Sequence, residues 1–185
     1  MEFGAGPTHN YAGPTTVNAG TLLVNAVLNG TTTTVNGGTL GGIGTLAATT
    51  INSGGTLAPG LSIGTLNFSS SLSLSGTANF EISKLGVTLT SDLANVTGLL
   101  TLGGTLNVFA SGNALAEGDS FNLFDAGSVS GTFAALNLPS LGAGLSWDVS
   151  SLPGNGSITV VPEPSAAVAM VGGIGLLLGL RRRRK

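Results

Sequence analysis

Three segments of this chain repeat one another at a spacing too short to hold a pair of helices. Thr15-Thr16-Val17-Asn18-Ala19-Gly20-Thr21-Leu22 returns as Thr33-Thr34-Val35-Asn36-Gly37-Gly38-Thr39-Leu40. It returns again, one residue longer, as Thr49-Thr50-Ile51-Asn52-Ser53-Gly54-Gly55-Thr56-Leu57. Val17, Val35 and Ile51 are offset by about 18 and 16 residues, a short period of the solenoid kind. Each unit reads as a short β-branched strand, a turn at Asn-Gly or Asn-Ser-Gly, and a second strand opening with Gly-Thr-Leu. That length of chain suits one coil of a parallel β-helix, in which stacked coils bury a continuous apolar strip.

Further along, alternation takes over from repetition. Phe68, Leu72, Leu74, Ala78, Phe80 and Ile82 are apolar, while Ser69, Ser71, Ser73, Ser75, Thr77, Asn79 and Glu81 fall between them. Period two marks strand with one face buried and one wet. Leu100, Leu102, Leu106 and Val108 continue the pattern around Gly103-Gly104. No helical stripe occurs before Ser165, so the body is expected to be all-β. Residues 113–160 carry short strand signals at Phe121-Asn122-Leu123-Phe124, Gly131-Thr132-Phe133, Leu145 to Val149 and Ser157 to Val160. They are expected to form a β-rich cap, because a solenoid end must not invite another strand. Trp147 is read as a plug for the last coil; the competing reading is a sugar-stacking platform.

Tyr11-Ala12-Gly13-Pro14-Thr15-Thr16-Val17-Asn18-Ala19-Gly20-Thr21-Leu22 and its copies resemble the autotransporter-associated β-strand repeat, whose pattern runs Tyr, Gly, Thr, Val, Gly-Thr-Leu. The later copies lack the tyrosine. The resemblance covers about residues 11 to 110 and implies a right-handed parallel β-helix stalk that displays or spaces other modules. No chemistry belongs to the repeats themselves.

The end of the chain has a different character. Val161-Pro162-Glu163-Pro164-Ser165 leads into an apolar run from Ala166 to Leu180, and Arg181-Arg182-Arg183-Arg184-Lys185 follows. Residues 165–180 would form a helix of roughly 24 Å at 1.5 Å per residue, short for a bilayer core of about 30 Å. The basic cluster should stay cytoplasmic by the positive-inside rule, and the two prolines deny the helix an earlier start. The Pro162-Glu163-Pro164 motif, apolar segment and terminal arginines resemble a PEP-CTERM sorting signal. That resemblance implies export by the secretion machinery and transient residence in the inner membrane as a single-pass protein. It further implies processing near Pro162, Glu163 and Pro164 by an exosortase-type transpeptidase, then release to the cell surface or extracellular matrix. The motif residues are read as substrate, not catalyst. Residues 1–10 lack a basic n-region and an apolar h-region. They are expected to be the disordered N-terminus of a fragment of a longer protein.

Composition narrows the chemistry. Cys 0 removes thiolate nucleophiles and cysteine metal sites, and His9 is the single histidine, so no histidine triad or zinc site is expected. Charged residues make up 8% of the chain. Before Val161, seven acids (Glu2, Glu81, Asp92, Glu117, Asp119, Asp125 and Asp148) stand against Lys84 alone, a net charge of −6 that speaks against nucleic acid as a partner. Gly41-Gly42-Ile43-Gly44-Thr45-Leu46 departs from the calcium nonapeptide at Leu46, where a carboxylate ligand would be needed. Glu117 and Asp119 flank Gly118 and are read as solvated turn residues rather than a hydrolase pair.

The expectation is therefore a non-enzymatic, cofactor-free, exported structural or adhesive protein. Its fold is a right-handed parallel β-helix with a small β cap and a C-terminal transmembrane helix. The domains run 1–10, 11–112, 113–160 and 161–185. Extracellular polysaccharide is the candidate ligand beyond the sorting machinery. The alternatives are the distal fragment of a carbohydrate-active or carbohydrate-binding β-helix protein and an ice binder using a ladder of Thr16, Thr34 and Thr50.

Overall fold

The computed structural model describes residues 1–4, 9, 11 and 13–163. Pro164, the apolar run and Arg181, Arg182, Arg183, Arg184 and Lys185 lie outside the described residues, as does the expected transmembrane helix. Among the described residues no helix is long and apolar enough to cross a membrane.

The chain winds as a stack of coils. β1 (Glu2–Phe3) precedes a first full coil of β2 (Thr15–Val17), β3 (Thr21–Val24) and β4 (Val27–Leu28). β5 (Thr33–Val35), β6 (Gly38–Gly42) and β7 (Thr45–Leu46) form the second, and β8 (Thr49–Ile51), β9 (Gly55–Pro59) and β10 (Thr65–Phe68) the third. The fourth uses β11 (Leu72–Leu74), β12 (Thr77–Leu85) and the first half of β14 (Leu93–Leu102), with β13 (Thr88–Ser91) folded back on β12 as a hairpin. The second half of β14, β15 (Thr105–Gly112) and the start of β17 (Phe124–Gly131) make the fifth. The rest of β17 and β18 (Ala135–Asn137) begin a sixth.

Stacking these coils builds parallel sheets. One sheet runs β1-β3-β6-β9-β12-β15-β18. The other two faces run β2-β5-β8-β11 and β4-β7-β10 and merge at β14, whose first half pairs with β10 and second half with β11. The structure is thus all-β and β-helix-like. The repeat spacing corresponds directly to register: Thr15, Thr33 and Thr49 are partners, as are Thr16, Thr34 and Thr50, and Val17, Val35 and Ile51.

Inward positions form columns. Leu22, Leu40, Leu57, Ala78 and Leu106 stack in register on one face, and Leu28, Leu46, Phe68 and Val96 on another. All are buried. Each such leucine contributes about 1.5–3 kcal/mol relative to exposure, which sets the coil stack as the main source of stability.

Asparagine ladders run beside these columns. Asn36 Nδ2 donates to Asn18 Oδ1 at 2.9 Å, and Asn52 Nδ2 to Asn36 Oδ1 at 2.7 Å. Asn107 donates to Asn79 at 2.8 Å and Asn137 to Asn107 at 2.7 Å, while Asn95 donates to Asn67 at 2.9 Å. A column of amides can satisfy itself because each offers donors on one side and an acceptor on the other. The ladder spacings also show the coils widening, from 18 and 16 residues in the first ladder to 28 and 30 in the ladder through Asn107.

Two features depart from the sequence-based picture. Glu2–Phe3 pairs in parallel with β3, so the chain start joins the stack rather than fraying. The coils also continue beyond residue 112, because β17 and β18 carry the two main sheets on by parallel pairing with β14 and β15. The antiparallel part of the cap is smaller: β16 (Ser120–Asn122), β20 (Ser157–Pro162) and β19 (Leu145–Asp148), with the single turn α1 (Leu152–Asn155). Phe121, Leu152, Ile158 and Val160 are buried there. Trp147 is half-buried, donates from Nε1 to Pro139 O at 2.9 Å and lies 6.4 Å from the Phe121 ring.

Candidate functional site

The segment expected to be a sorting motif begins within the last described strand, β20. Pro162 is the last residue of β20 and pairs with Leu145, and Glu163 donates its N–H to Gly144 O at 2.9 Å. Both side chains are exposed. Pro162 sits at the end of an edge pairing, a position a residue without N–H tolerates. The first two motif residues are therefore held against the cap.

The hydroxyls considered for an ordered ladder do align. Thr16, Thr34 and Thr50 stack, and the column continues through Ser73, Thr101 and Ser130. Lys84 and Asp119 are brought together instead of remaining separate: Lys84 Nζ lies 2.7 Å from Asp119 Oδ2, and both side chains are largely covered. Asp119 also accepts the Ala116 N–H at 2.7 Å. Partial desolvation pushes its carboxyl up, but the Lys84 hydrogen bond, the Ala116 N–H and the Lys84 charge together hold it below the usual carboxylate range. Asp119 is thus an ion-pair residue bracing the hairpin, not a free turn acid. His9 packs its ring 5.0 Å from Phe3.

A site with no sequence signal lies on the β12 and β15 face. Residues 59–64, from the end of β9 to the start of β10, bulge outward, pinned at their root by a two-way bridge: Gly60 N donates to Gly42 O and Gly42 N to Gly60 O, at 2.8 and 3.1 Å. Asp92, 2% exposed, clamps this loop to the sheet. Its Oδ1 accepts the Gly64 N–H at 2.9 Å and its Oδ2 the Glu81 N–H at 2.7 Å. Its own N–H donates to Glu81 O at 2.8 Å. Desolvation pushes the Asp92 carboxyl up to about 6; the two backbone donors oppose the shift and the neighbouring Glu81 charge adds to it.

The bulge and the sheet enclose a cleft of about 270 Å³. Leu61 and Ser62 wall one side, and Asn79, Glu81 and Phe109 form the other. Glu81 and Phe109 are register partners on adjacent coils, and Phe109 is 55% exposed. A larger hollow of about 600 Å³ sits over the first coil, lined by Phe3, Val17 and Leu22 among others; among the described residues its lining carries no carboxylate, lysine or histidine side chain.

A parallel-stranded repeat solenoid with exposed polar columns and an acid-lined cleft is the class that the geometry defines. No protein-family model matches the chain. It is similar to the adhesin BmaC autotransporter of Brucella suis biovar 1 (strain 1330), at 37% identity over 150 residues, covering 71% of this chain. That stretch is 4% of the relative, so the chain spans a small fraction of the protein it matches. The body is accordingly autotransporter-like in its repeats.

Proposed function

We propose that this chain is an exported, non-enzymatic surface protein, structural and adhesive, released to the cell surface or extracellular matrix after sorting through its C-terminal signal. One observation carries the sorting half of this reading: the Pro162-Glu163-Pro164 motif, the apolar run and the Arg181 to Lys185 cluster follow one another in sequence, the motif starting at the last residue of β20. In this reading the secretion machinery delivers the chain. The apolar run then holds it in the inner membrane with the basic cluster cytoplasmic, and an exosortase-type transpeptidase acts near the motif. The likeness to an adhesin autotransporter supports the adhesive half. Right-handed winding is part of the proposal, since parallel crossovers take that hand almost without exception.

The non-enzymatic reading is supported by Asp92, the acid best shielded from water. Both its oxygens are engaged by backbone N–H groups, so it acts as a brace.

The test is a size shift in a host carrying an exosortase. Wild type should convert from a membrane-held precursor to a released form. Replacing Pro162 and Pro164 with alanine should leave insertion intact and block conversion. Equal release of both would refute the sorting reading.

A further inference from the structure

We propose that the cleft between the 59–64 loop and strands β12 and β15 is a binding subsite for an uncharged saccharide. The proposal rests on the adhesive reading above and gives that reading a ligand class.

The functional groups around the cleft are those a sugar ring requires. Phe109 offers an exposed aromatic face against which the C–H face of a pyranose can pack. Glu81, its register partner on the coil before, offers carboxylate oxygens as acceptors for sugar hydroxyls. Asn79 supplies the donor. Its Oδ1 is taken by Asn107 in the ladder, but the ladder stops there, because the preceding coil carries Ala58 beside it. The Asn79 amide N–H groups donate to no described partner and border the cleft. Ser62 adds a hydroxyl from the opposite wall. Aromatic face, acceptor, donor and hydroxyl thus converge on a volume of about 270 Å³, the lower end of ligand pockets and suited to a single small ring system.

The walls are preorganised. Asp92 fixes both the loop, through Gly64, and the Glu81 backbone, so the two sides hold their separation without a ligand. A binding site whose geometry is already set avoids ordering costs on association.

Charge selects the class of sugar. Lys84 is the single Lys or Arg among the described residues and is committed to Asp119. With Glu81 and Asp92 at the cleft and no cation among the described residues to offset them, uronic or sulfated saccharides are repelled. A neutral chain of hexoses or N-acetylhexosamines is the occupant that fits.

The experiment is a titration of the isotope-labelled full chain, in a detergent without a sugar headgroup, followed by NMR. The probes are neutral tetrasaccharides of glucose, mannose, galactose and N-acetylglucosamine, with tetragalacturonate as the acidic control. At least one neutral probe should shift resonances of Ser62, Asn79, Glu81 and Phe109, and tetragalacturonate should not. Phe109→Ala, an exposed position whose loss leaves the fold intact by circular dichroism, should weaken binding about tenfold, Glu81→Gln should weaken it, and Phe109→Trp should retain it. No shift with any neutral probe at millimolar concentration, or equal binding by Phe109→Ala, overturns the proposal. Beads coated with the chain separate the two readings. Attachment to surfaces that ignores both free sugar and Phe109→Ala sinks the cleft and leaves adhesion standing. Sugar-induced shifts without attachment to any surface sink adhesion and leave the cleft.

Discussion

Replacing Gly104 with alanine should cost the body far more than the same change at Gly86, although the two residues share a backbone conformation. Gly104 has φ +62° and Gly86 φ +61°, the left-handed region where a Cβ costs about 1–2 kcal/mol. Part of that is returned, because alanine restricts the unfolded chain by about 0.4–1 kcal/mol. Gly86, at the tip of the β12–β13 hairpin, would place its new methyl in open space. Gly86→Ala should therefore lose about 1 kcal/mol or less. Gly104 opens β15 where one coil passes directly over another, and its methyl would fall 1.9 Å from the Gly76 carbonyl oxygen. That oxygen accepts the Thr105 N–H at 3.0 Å. Relieving the overlap must push the coils apart, at about 1–3 kcal/mol for overpacking plus about 1 kcal/mol for the weakened hydrogen bond. The total for Gly104→Ala is about 3–5 kcal/mol. Urea unfolding of both variants, followed by far-ultraviolet circular dichroism and compared at matched m values, measures the difference. Equal losses would mean that the coils do not meet at this corner, and the stacking register around β15 would be refuted.

Three further outcomes are expected. Thr33→Val should stabilise the protein by about 1 kcal/mol in the same urea assay, because the Thr33 hydroxyl is buried without a partner and valine keeps its shape. Asn107→Ala removes both bonds at the middle of its ladder and should cost about 1–2 kcal/mol, whereas the exposed Asn18→Ala, at the end of its ladder, should cost about half as much. Stability should rise as pH falls from above 6 towards 4, because Asp92 has a folded-state value of about 6, above the unfolded one, so the native state binds the extra proton in that window. The gain is on the order of 1 kcal/mol once solvent in the adjoining cleft is allowed for, it should vanish in Asp92→Asn, and below pH 4 it should reverse as Asp119, whose folded value is depressed, gives up its ion pair. Urea midpoints at pH 7.5, 5 and 3 check the sequence of signs.

The first three coils were legible in the residues because their turns are nearly identical in length, so sequence offset and spatial register coincide at Thr15, Thr33 and Thr49. Later coils hid themselves. Their corners and hairpin grow until partners lie 28 and 30 residues apart, and no shared turn marks the period. The alternation from Phe68 to Ile82 reads as one long strand but belongs to three, β10, β11 and β12. Their corners at Ser69–Ser71 and Ser75–Gly76 preserve the parity of inward positions, so burial was readable where connectivity was not. The asparagines of the repeats were visible as turn formers; their stacking depends on coil contact, which a local pattern does not encode. Asp92 carried no signal at all. Its partners are backbone N–H groups 28 and 11 residues away, and a backbone donor looks the same at every position. Asp119 was read as a turn acid for a related reason: its lysine lies 35 residues earlier, on a hairpin the repeats do not announce.

The widening of the coils separates girth from reach. Each coil advances the stack by one strand spacing, about 4.8 Å, whether it holds 16 residues or 30. Residues added to a late coil lengthen nothing; they thicken the rod and throw material sideways, as the β12–β13 hairpin, with Val87 97% exposed at its tip, already does. The body is therefore slender at its first coils and broad near the cap. Inserting chain at a corner of the fourth or fifth coil would change what the flank of the protein can touch while leaving unaltered how far it extends.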